Sequence, residues 1–192
     1  MALSYAKIKV ELREISLKLR PAELYSISPK GTVPVLVLQS GKVIDQSLDI
    51  MMWALDISDS DGWIENDLSL QMQMISYNDN DFKKWLDRYK YHDRYPDNDM
   101  AFYRDKCSYF LNRYDKILAS QNYLITNKIS IGDIAIFPFV RQLANVDMHW
   151  FKKEFVNLSL WLDNFLNSNL FNSVMEKYSI WNPDNEPQII CF

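Results

Sequence analysis

Glycine is nearly absent, with four residues in 192: Gly31, Gly41, Gly62 and Gly132. They are too dispersed to build a phosphate-cradling loop or a dinucleotide fingerprint, each of which needs several glycines in one turn. Histidine and cysteine number two each. His92 and His149 are isolated, so no metal site is expected. Cys107 and Cys191 cannot frame a chain of this length with disulfides, and both read as free thiols of a reducing, cytoplasmic compartment. Positive charge is not in excess: the net charge is -4 and no Lys/Arg run relieves it, which excludes nucleic acid as an expected partner. The longest strongly apolar stretch, Ile134 to Val140, contains Pro138 and is far too short to span a bilayer. The opening residues, Met1 to Lys7, have no signal-peptide core, and charges follow at once in Lys9, Glu11 and Arg13. No membrane association is expected.

What is abundant is apolar and aromatic: 48% hydrophobic and 14% Phe, Trp and Tyr, enough for a packed core. The first seven residues read as the last turns of a helix that Lys7 could end. Ile8 to Ile15 alternates apolar and polar side chains, the pattern of a half-buried strand. Pro21 to Tyr25 suits a short helix with proline in its first turn. Val33 to Leu38 is a second strand. Ser40-Gly41 turns the chain and Lys42-Val43-Ile44 returns as a third, in a hairpin. Helical spacing resumes at Ser47, with Leu48, Met51, Met52 and Leu55 on one face.

A polar, turn-rich stretch from Ser58 to Asp67 reads as a linker that Trp63 pins to one domain. The expected domains are therefore 1–57 and 67–192, with 58–66 between them. Beyond the linker strand signals vanish. A long helix is expected from Leu68 through Tyr89 to Pro96, and a second along Tyr103, Cys107, Phe110, Leu111, Tyr114 and Leu118. Cys107 lies on that apolar stripe and reads as a core thiol. A third helix starts at Ser130, where Ser130 and Asp133 stand at the N-cap and N3 positions of a capping box, inside an Ile129–Ile134 staple. These two residues are assigned to folding. Pro138 interrupts the same helix. Amphipathic segments follow at Leu158 to Leu166 and Leu170 to Tyr178, and the tail from Trp181 reads as irregular.

Three stretches in order narrow the field: Ser28-Pro29-Lys30-Gly31-Thr32-Val33-Pro34-Val35-Leu36, Gly41-Lys42-Val43-Ile44-Asp45-Gln46-Ser47-Leu48-Asp49-Ile50, and Ser130-Ile131-Gly132-Asp133-Ile134-Ala135. Together they resemble the cytosolic glutathione S-transferase family, in particular bacterial members related to the omega and beta classes. The resemblance implies an α+β or α/β chain, a partial thioredoxin-like N-terminal domain followed by an all-α C-terminal domain. It implies glutathione as co-substrate, a small hydrophobic electrophile or a disulfide as second substrate, and a homodimer. Val33-Pro34 matches the family's cis X-Pro pair, which offers the Val backbone to the cysteinyl part of glutathione. Gln46-Ser47 matches the residues that receive the γ-glutamyl carboxylate at a helix start. Many relatives have Glu where this chain has Gln46, so the charge that would meet the ligand's ammonium is lost. Lys30 is placed to approach the glycine carboxylate. Taken singly, Val33-Pro34 is an ordinary edge-strand proline, Ser47 a helix cap and Lys30 a surface lysine; the joint register makes the case. Tyr89 and His92 are candidates for the second-substrate pocket, against core packing for Tyr89 and a surface imidazole for His92.

Relatives of this pattern begin with a strand, a loop holding Cys or Ser, and a full helix. Met1 to Ala6 resembles the end of that helix, which implies that the first strand and most of the first helix are absent. No residue here inherits the catalytic role, and no catalytic residue is assigned. The chain reads as a glutathione S-transferase-like protein, ancestrally conjugating or exchanging the glutathione thiol. The alternatives are a non-catalytic binding module, or an omega-type thiol-disulfide reductase if the absent segment exists in the cell. Without that strand, either two rows of backbone groups lack partners or the remaining strands pair directly. A rearranged N-terminal domain, or one completed by another chain, is expected.

Overall fold

The computed structural model describes residues 1–191. In chain order the elements are α1 (Ala2–Tyr5), β1 (Val10–Glu11), α2 (Ala22–Ile27), β2 (Leu36–Val37), β3 (Val43–Ile44), α3 (Ser47–Ile57), α4 (Leu68–Tyr77), α5 (Lys83–Lys90), α6 (Met100–Leu118), α7 (Ile131–Ala144), α8 (Met148–Glu154), α9 (Val156–Leu166), α10 (Asn169–Ser173) and β4 (Ile189–Ile190). They form two compact units. The first joins Met1–Ser60 to the chain from Asn169 on, and the second is Asp61–Ser168. Among the described residues no helix is long and apolar enough to cross a membrane.

In the first unit, α1 ends at Lys7, which adopts φ 54. The Lys7 N–H donates to the Ser4 carbonyl and the Ile8 N–H to the Leu3 carbonyl, each at 3.0 Å, a Schellman closure with lysine where glycine is usual. Ala2, Ala6 and Ala54 form a core cluster with Leu3, Ile8, Met51 and Trp53 packed against it. The hairpin β2–β3 pairs Leu36 with Ile44 and Val37 with Val43. Its loop is closed by the Gly41 N–H on the Leu38 carbonyl at 2.8 Å, with Gly41 at φ +83, where a side chain would be strained.

The tail departs from the sequence reading. The helical domain expected to run to residue 192 gives up its last segment, because the chain from Asn169 groups with the first unit. Backbone pairing is the reason. β4 runs antiparallel to β1, Val10 opposite Ile190 and Glu11 opposite Ile189. The Trp181 N–H donates to the Glu14 carbonyl at 2.7 Å, and the Arg13 guanidinium lies 5.0 Å from the Trp181 ring centroid. Direct pairing of the remaining strands does not occur: the described residues hold two separate two-stranded sheets, β1–β4 and β2–β3. Each strand is shorter than its alternating sequence because a ladder extends only where a partner continues.

In the second unit, the long helix expected from Leu68 to Pro96 is interrupted. A π-helical turn, Asn78–Phe82, joins α4 to α5, and α5 stops at Lys90. Asn78-Asp79-Asn80-Asp81 is a run of poor helix formers. The buried stripe of α6 is Tyr103, Cys107, Phe110, Leu111, Tyr114 and Leu118, and the Asp99 carboxylate caps its start by accepting from the Phe102 N–H at 2.8 Å. α7 starts at a capping box of Ser130 and Asp133 and runs through Pro138 without a break. Asp133, fully buried, also accepts from the Leu124 N–H at 2.8 Å and Trp161 Nε1 at 3.0 Å. Gln71 Oε1 accepts from the Gly132 N–H at 3.1 Å. Trp63, 1% exposed, anchors its segment through its carbonyl, which accepts from the Ile131 N–H at 3.1 Å. Phe137, Trp161 and Phe165 close the core with ring centroids 4.9 to 6.2 Å apart.

Candidate functional site

The antiparallel hairpin brings the two halves of the candidate site to one end. Leu36 pairs with Ile44, so Val33-Pro34, just before β2, and Gln46-Ser47, just after β3, both lie at the open end of the hairpin. The Val33–Pro34 peptide is cis, and Val33 is 47% exposed. On the other strand the chain passes directly into α3, with Gln46 as N-cap and Ser47 as first helical residue. Gln46 makes no side-chain cap hydrogen bond. The first-turn N–H groups of α3 therefore project without an intrahelical acceptor at the positive end of the helix dipole. An extended backbone and a helix N-terminus thus share one exposed edge, suited to an anionic, peptide-like ligand.

Lys30 reaches the same edge. Its Nζ lies 3.2 Å from Asp45 Oδ2, and the Ser28 hydroxyl donates to that oxygen at 3.5 Å. Asp45 so ties the 28–30 loop to the residue before Gln46. Gly31, in the loop's bend, has φ +60, and the Tyr25 ring occupies the space a Cβ would need there. Asp45, Ser28 and Tyr25 were not marked by sequence reasoning. Asp45 carried one usable signal, its position immediately before Gln46-Ser47; the Tyr25–Gly31 contact carried none.

Tyr89 and His92 belong to the second unit. Tyr89 is fully buried in the second unit, its ring 6.3 Å from that of Trp150. Burial pushes its hydroxyl above the usual tyrosine range. No ring face is left for a ligand, so the pocket-lining role gives way to core packing. His92 sits in a single 3-10 turn, His92–Arg94, with Nε2 3.1 Å from Asp93 Oδ1.

The two thiols differ in exposure. Cys107 is buried in α6, and desolvation pushes its thiol up to about 12, which keeps it protonated and unreactive. Cys191 is exposed beside β4, its Sγ 3.8 Å from the Lys7 carbonyl oxygen. Among the described residues no group of three or more His, Cys, Asp and Glu could hold a metal ion. Burial also raises the Asp133 carboxyl above the ordinary aspartate range, offset in part by the Leu124 N–H, the Ser130 hydroxyl and N–H, and the Trp161 indole. With its oxygens consumed inside the second unit, Asp133 is a structural hub.

Two family models match in the order these elements require. The glutathione S-transferase N-terminal domain matches residues 1–56, and the glutathione S-transferase C-terminal domain matches residues 103–169. The chain belongs to the glutathione S-transferase family. No curated protein matches the sequence, whereas solved structures match the fold. The glutathione transferase URE2P6 from Phanerochaete chrysosporium, in complex with oxidized glutathione, is 17% identical with a TM-score of 0.77, over 90% of this chain and 86% of that one. A Gtt2-class glutathione S-transferase of Vibrio parahaemolyticus is 19% identical with a TM-score of 0.67, over 90% and 92%. Glutathione S-transferase 1-6 from Anopheles dirus species B is 16% identical with a TM-score of 0.73, over 89% and 85%. The glutathione S-transferase fold is common to all of them, a thioredoxin-like N-terminal domain and a helical C-terminal domain.

Proposed function

We propose that the edge formed by Lys30, Val33, Pro34, Gln46 and Ser47 binds glutathione. The observation that supports this reading is the β2–β3 hairpin, with the cis Val33–Pro34 peptide leading into β2 and β3 leading out to the start of α3. The Val33 backbone pairs with the extended cysteinyl portion. The Ser47 hydroxyl and the first-turn N–H groups of α3 receive the γ-glutamyl carboxylate. Lys30, already held at the edge by Asp45, faces the glycine carboxylate. The similar URE2P6 was solved in complex with oxidized glutathione, and the family membership supports carrying the ligand over.

The activity consistent with this edge is conjugation or exchange of the glutathione thiol with a small hydrophobic electrophile or a disulfide, in a cytoplasmic homodimer. This chain supplies carboxylate and backbone recognition. Cys107 is buried with its thiol pushed up to about 12, and Cys191 is exposed beside β4, so neither is taken as an exchange thiol of this edge. A non-catalytic glutathione-binding module is the alternative reading, and His92 remains a candidate contact for a second substrate.

Retention on immobilised glutathione is the test. The protein is expected to bind and to elute with free glutathione, and Ser47→Ala to weaken binding by about tenfold, the worth of one charge-assisted hydrogen bond. Unimpeded passage of a folded protein through the column would overturn the proposal. Activity toward a chloro-aromatic electrophile or a mixed disulfide separates conjugation and exchange from binding alone.

A further inference from the structure

We propose that the face shared by α5 and α6 docks an acidic segment of a partner protein. At its centre the half-buried Trp85 ring stands edge-on to Phe102, centroids 6.5 Å apart. Three cations gather around that one indole: Lys84 Nζ at 5.2 Å, Arg88 Cζ at 5.2 Å and Lys106 Nζ at 5.8 Å from its centroid. Lys106 also lies 5.1 Å from the Phe102 ring, and Arg88 5.5 Å from that of Tyr95. All of these residues belong to the second unit, whereas the glutathione edge is built from the first, so the proposal stands apart from that reading.

Ring contact holds these charges without consuming their donors. A cation over a π face is attracted by the ring quadrupole, and its N–H groups keep their capacity to meet an acceptor. Among the described residues none of the three lies within ion-pair distance of a carboxylate. Asp87 and Asp105, exposed and adjacent in sequence to Arg88 and Lys106, close on none of them. Elsewhere in the same unit lysines do pair, Lys83 with Asp79 at 3.9 Å and Lys152 with Asp163 at 2.7 Å. The chain as a whole carries a net charge of -4, so three unpaired cations on one face are a local reversal of sign. Like charges gathered this closely repel one another, and an anion laid among them offsets that repulsion.

The arrangement sets the chemistry of the partner. Lys84 and Arg88 stand one helical turn apart on α5, and Lys106 joins them from α6. Phe102, 38% exposed, leaves apolar surface among the charges. An apolar residue with carboxylates on either side matches this pattern, its side chain against Phe102 and its carboxylates on the three cations. A nucleic-acid strand would also bring anions, but the acidic remainder of the chain repels a long polyanion. The occupant is therefore a short acidic stretch of polypeptide.

A fluorescein-labelled peptide with two glutamates on each side of a leucine serves as the probe. Anisotropy is expected to show saturable binding to the full chain, about tenfold weaker once salt rises to physiological strength. The same peptide with lysines for glutamates is expected not to bind. Lys84 and Lys106 are exposed, so Lys84→Glu and Lys106→Glu are expected to melt close to the parent, and each to weaken the peptide by about tenfold or more. The proposal is overturned by absence of saturable binding, by equal binding of the lysine peptide, or by charge-reversed variants that bind as well as the parent. It is equally overturned if single-stranded oligothymidylate displaces the probe more readily than unlabelled peptide does, which would assign the face to nucleic acid. A change in the sedimentation of either variant alone would assign it to a second copy of this chain and overturn the proposal as well, as would displacement of the probe by free glutathione. Passage through a glutathione column leaves the anisotropy readout untouched, so the two proposals fail separately.

Discussion

Lys30 Nζ stands 3.2 Å from Asp45 Oδ2, so the loop leading to the cis Val33–Pro34 peptide is tethered by charge to the residue that precedes the Gln46 cap of α3. The lysine side chain is 61% exposed, and an ion pair so open to water contributes below about 1 kcal/mol. Lys30→Ala is therefore expected to leave the urea midpoint nearly unchanged. Glutathione affinity should fall by roughly fivefold and lose part of its salt dependence. Calorimetric titration at low and high salt checks both, and an unaltered affinity would remove Lys30 from the edge.

Gly31 is required twice over, by its φ of +60 and by the Tyr25 ring. Gly31→Ala should cost about 1–2 kcal/mol from the left-handed backbone alone, with a further loss from the ring contact. In the Tyr25→Ala background the steric part disappears. Denaturation of the four proteins of this cycle gives the coupling directly, and strict additivity would show that the ring simply moves aside.

Asp133 accepts from four donors, two on each oxygen: the Ser130 N–H and hydroxyl on Oδ2, and the Leu124 N–H and Trp161 Nε1 on Oδ1. An asparagine amide must turn its NH₂ toward one of these pairs, so Asp133→Asn is expected to cost about 2–5 kcal/mol. Burial raises the folded carboxyl above its ordinary value, so the folded state holds the proton more tightly than the unfolded chain. This contribution to stability is full below the ordinary aspartate value and is lost as pH rises through the raised one. The stability gap between wild type and Asp133→Asn should narrow with rising pH across that window. A widening gap would show that the four donors outweigh burial.

The thiols should separate cleanly. Cys191 is exposed and Cys107 buried with its thiol pushed up to about 12. A chromogenic disulfide reagent is expected to titrate one thiol per folded chain and two in denaturant. Rapid modification of Cys107 in the native protein would contradict its placement on the α6 stripe.

At Lys7 a lysine adopts φ 54, a conformation glycine enters at no steric cost. Lys7→Gly should stabilise by about 1 kcal/mol, seen as a higher melting temperature. A decrease would mean that the lysine side chain contributes more than its backbone loses.

Local chemistry made much of this legible. The Ser130–Asp133 box, the Gly41 turn, the apolar stripe of α6 and the Trp63 anchor are written within a few residues of where they act. What escaped the sequence is either long-range or governed by partners. Ile189 and Ile190 follow Pro187 and carry no mark connecting them to Val10. The π turn at Asn78–Phe82 preserves the helical spacing on both sides, so periodicity alone cannot see it. α8 is a seven-residue helix announced only by Asp147, whose carboxylate accepts from the Trp150 N–H at 2.9 Å. At the candidate edge the recognition residues were legible as a motif. The Tyr25–Gly31 contact was not, and the Asp45 tie to Lys30 was marked only by its place before Gln46, because both depend on a loop doubling back.

The partnership of Val10 with Ile190 spans 180 residues of chain. At roughly 5–20 residues per second on the ribosome, β1 emerges about 10–40 seconds before the strand that completes its ladder. The helical unit, continuous from Asp61 to Ser168, is translated in that interval and can consolidate first. The opening segment must wait with a bare edge, and a chaperone or a neighbouring nascent chain has that long to reach it.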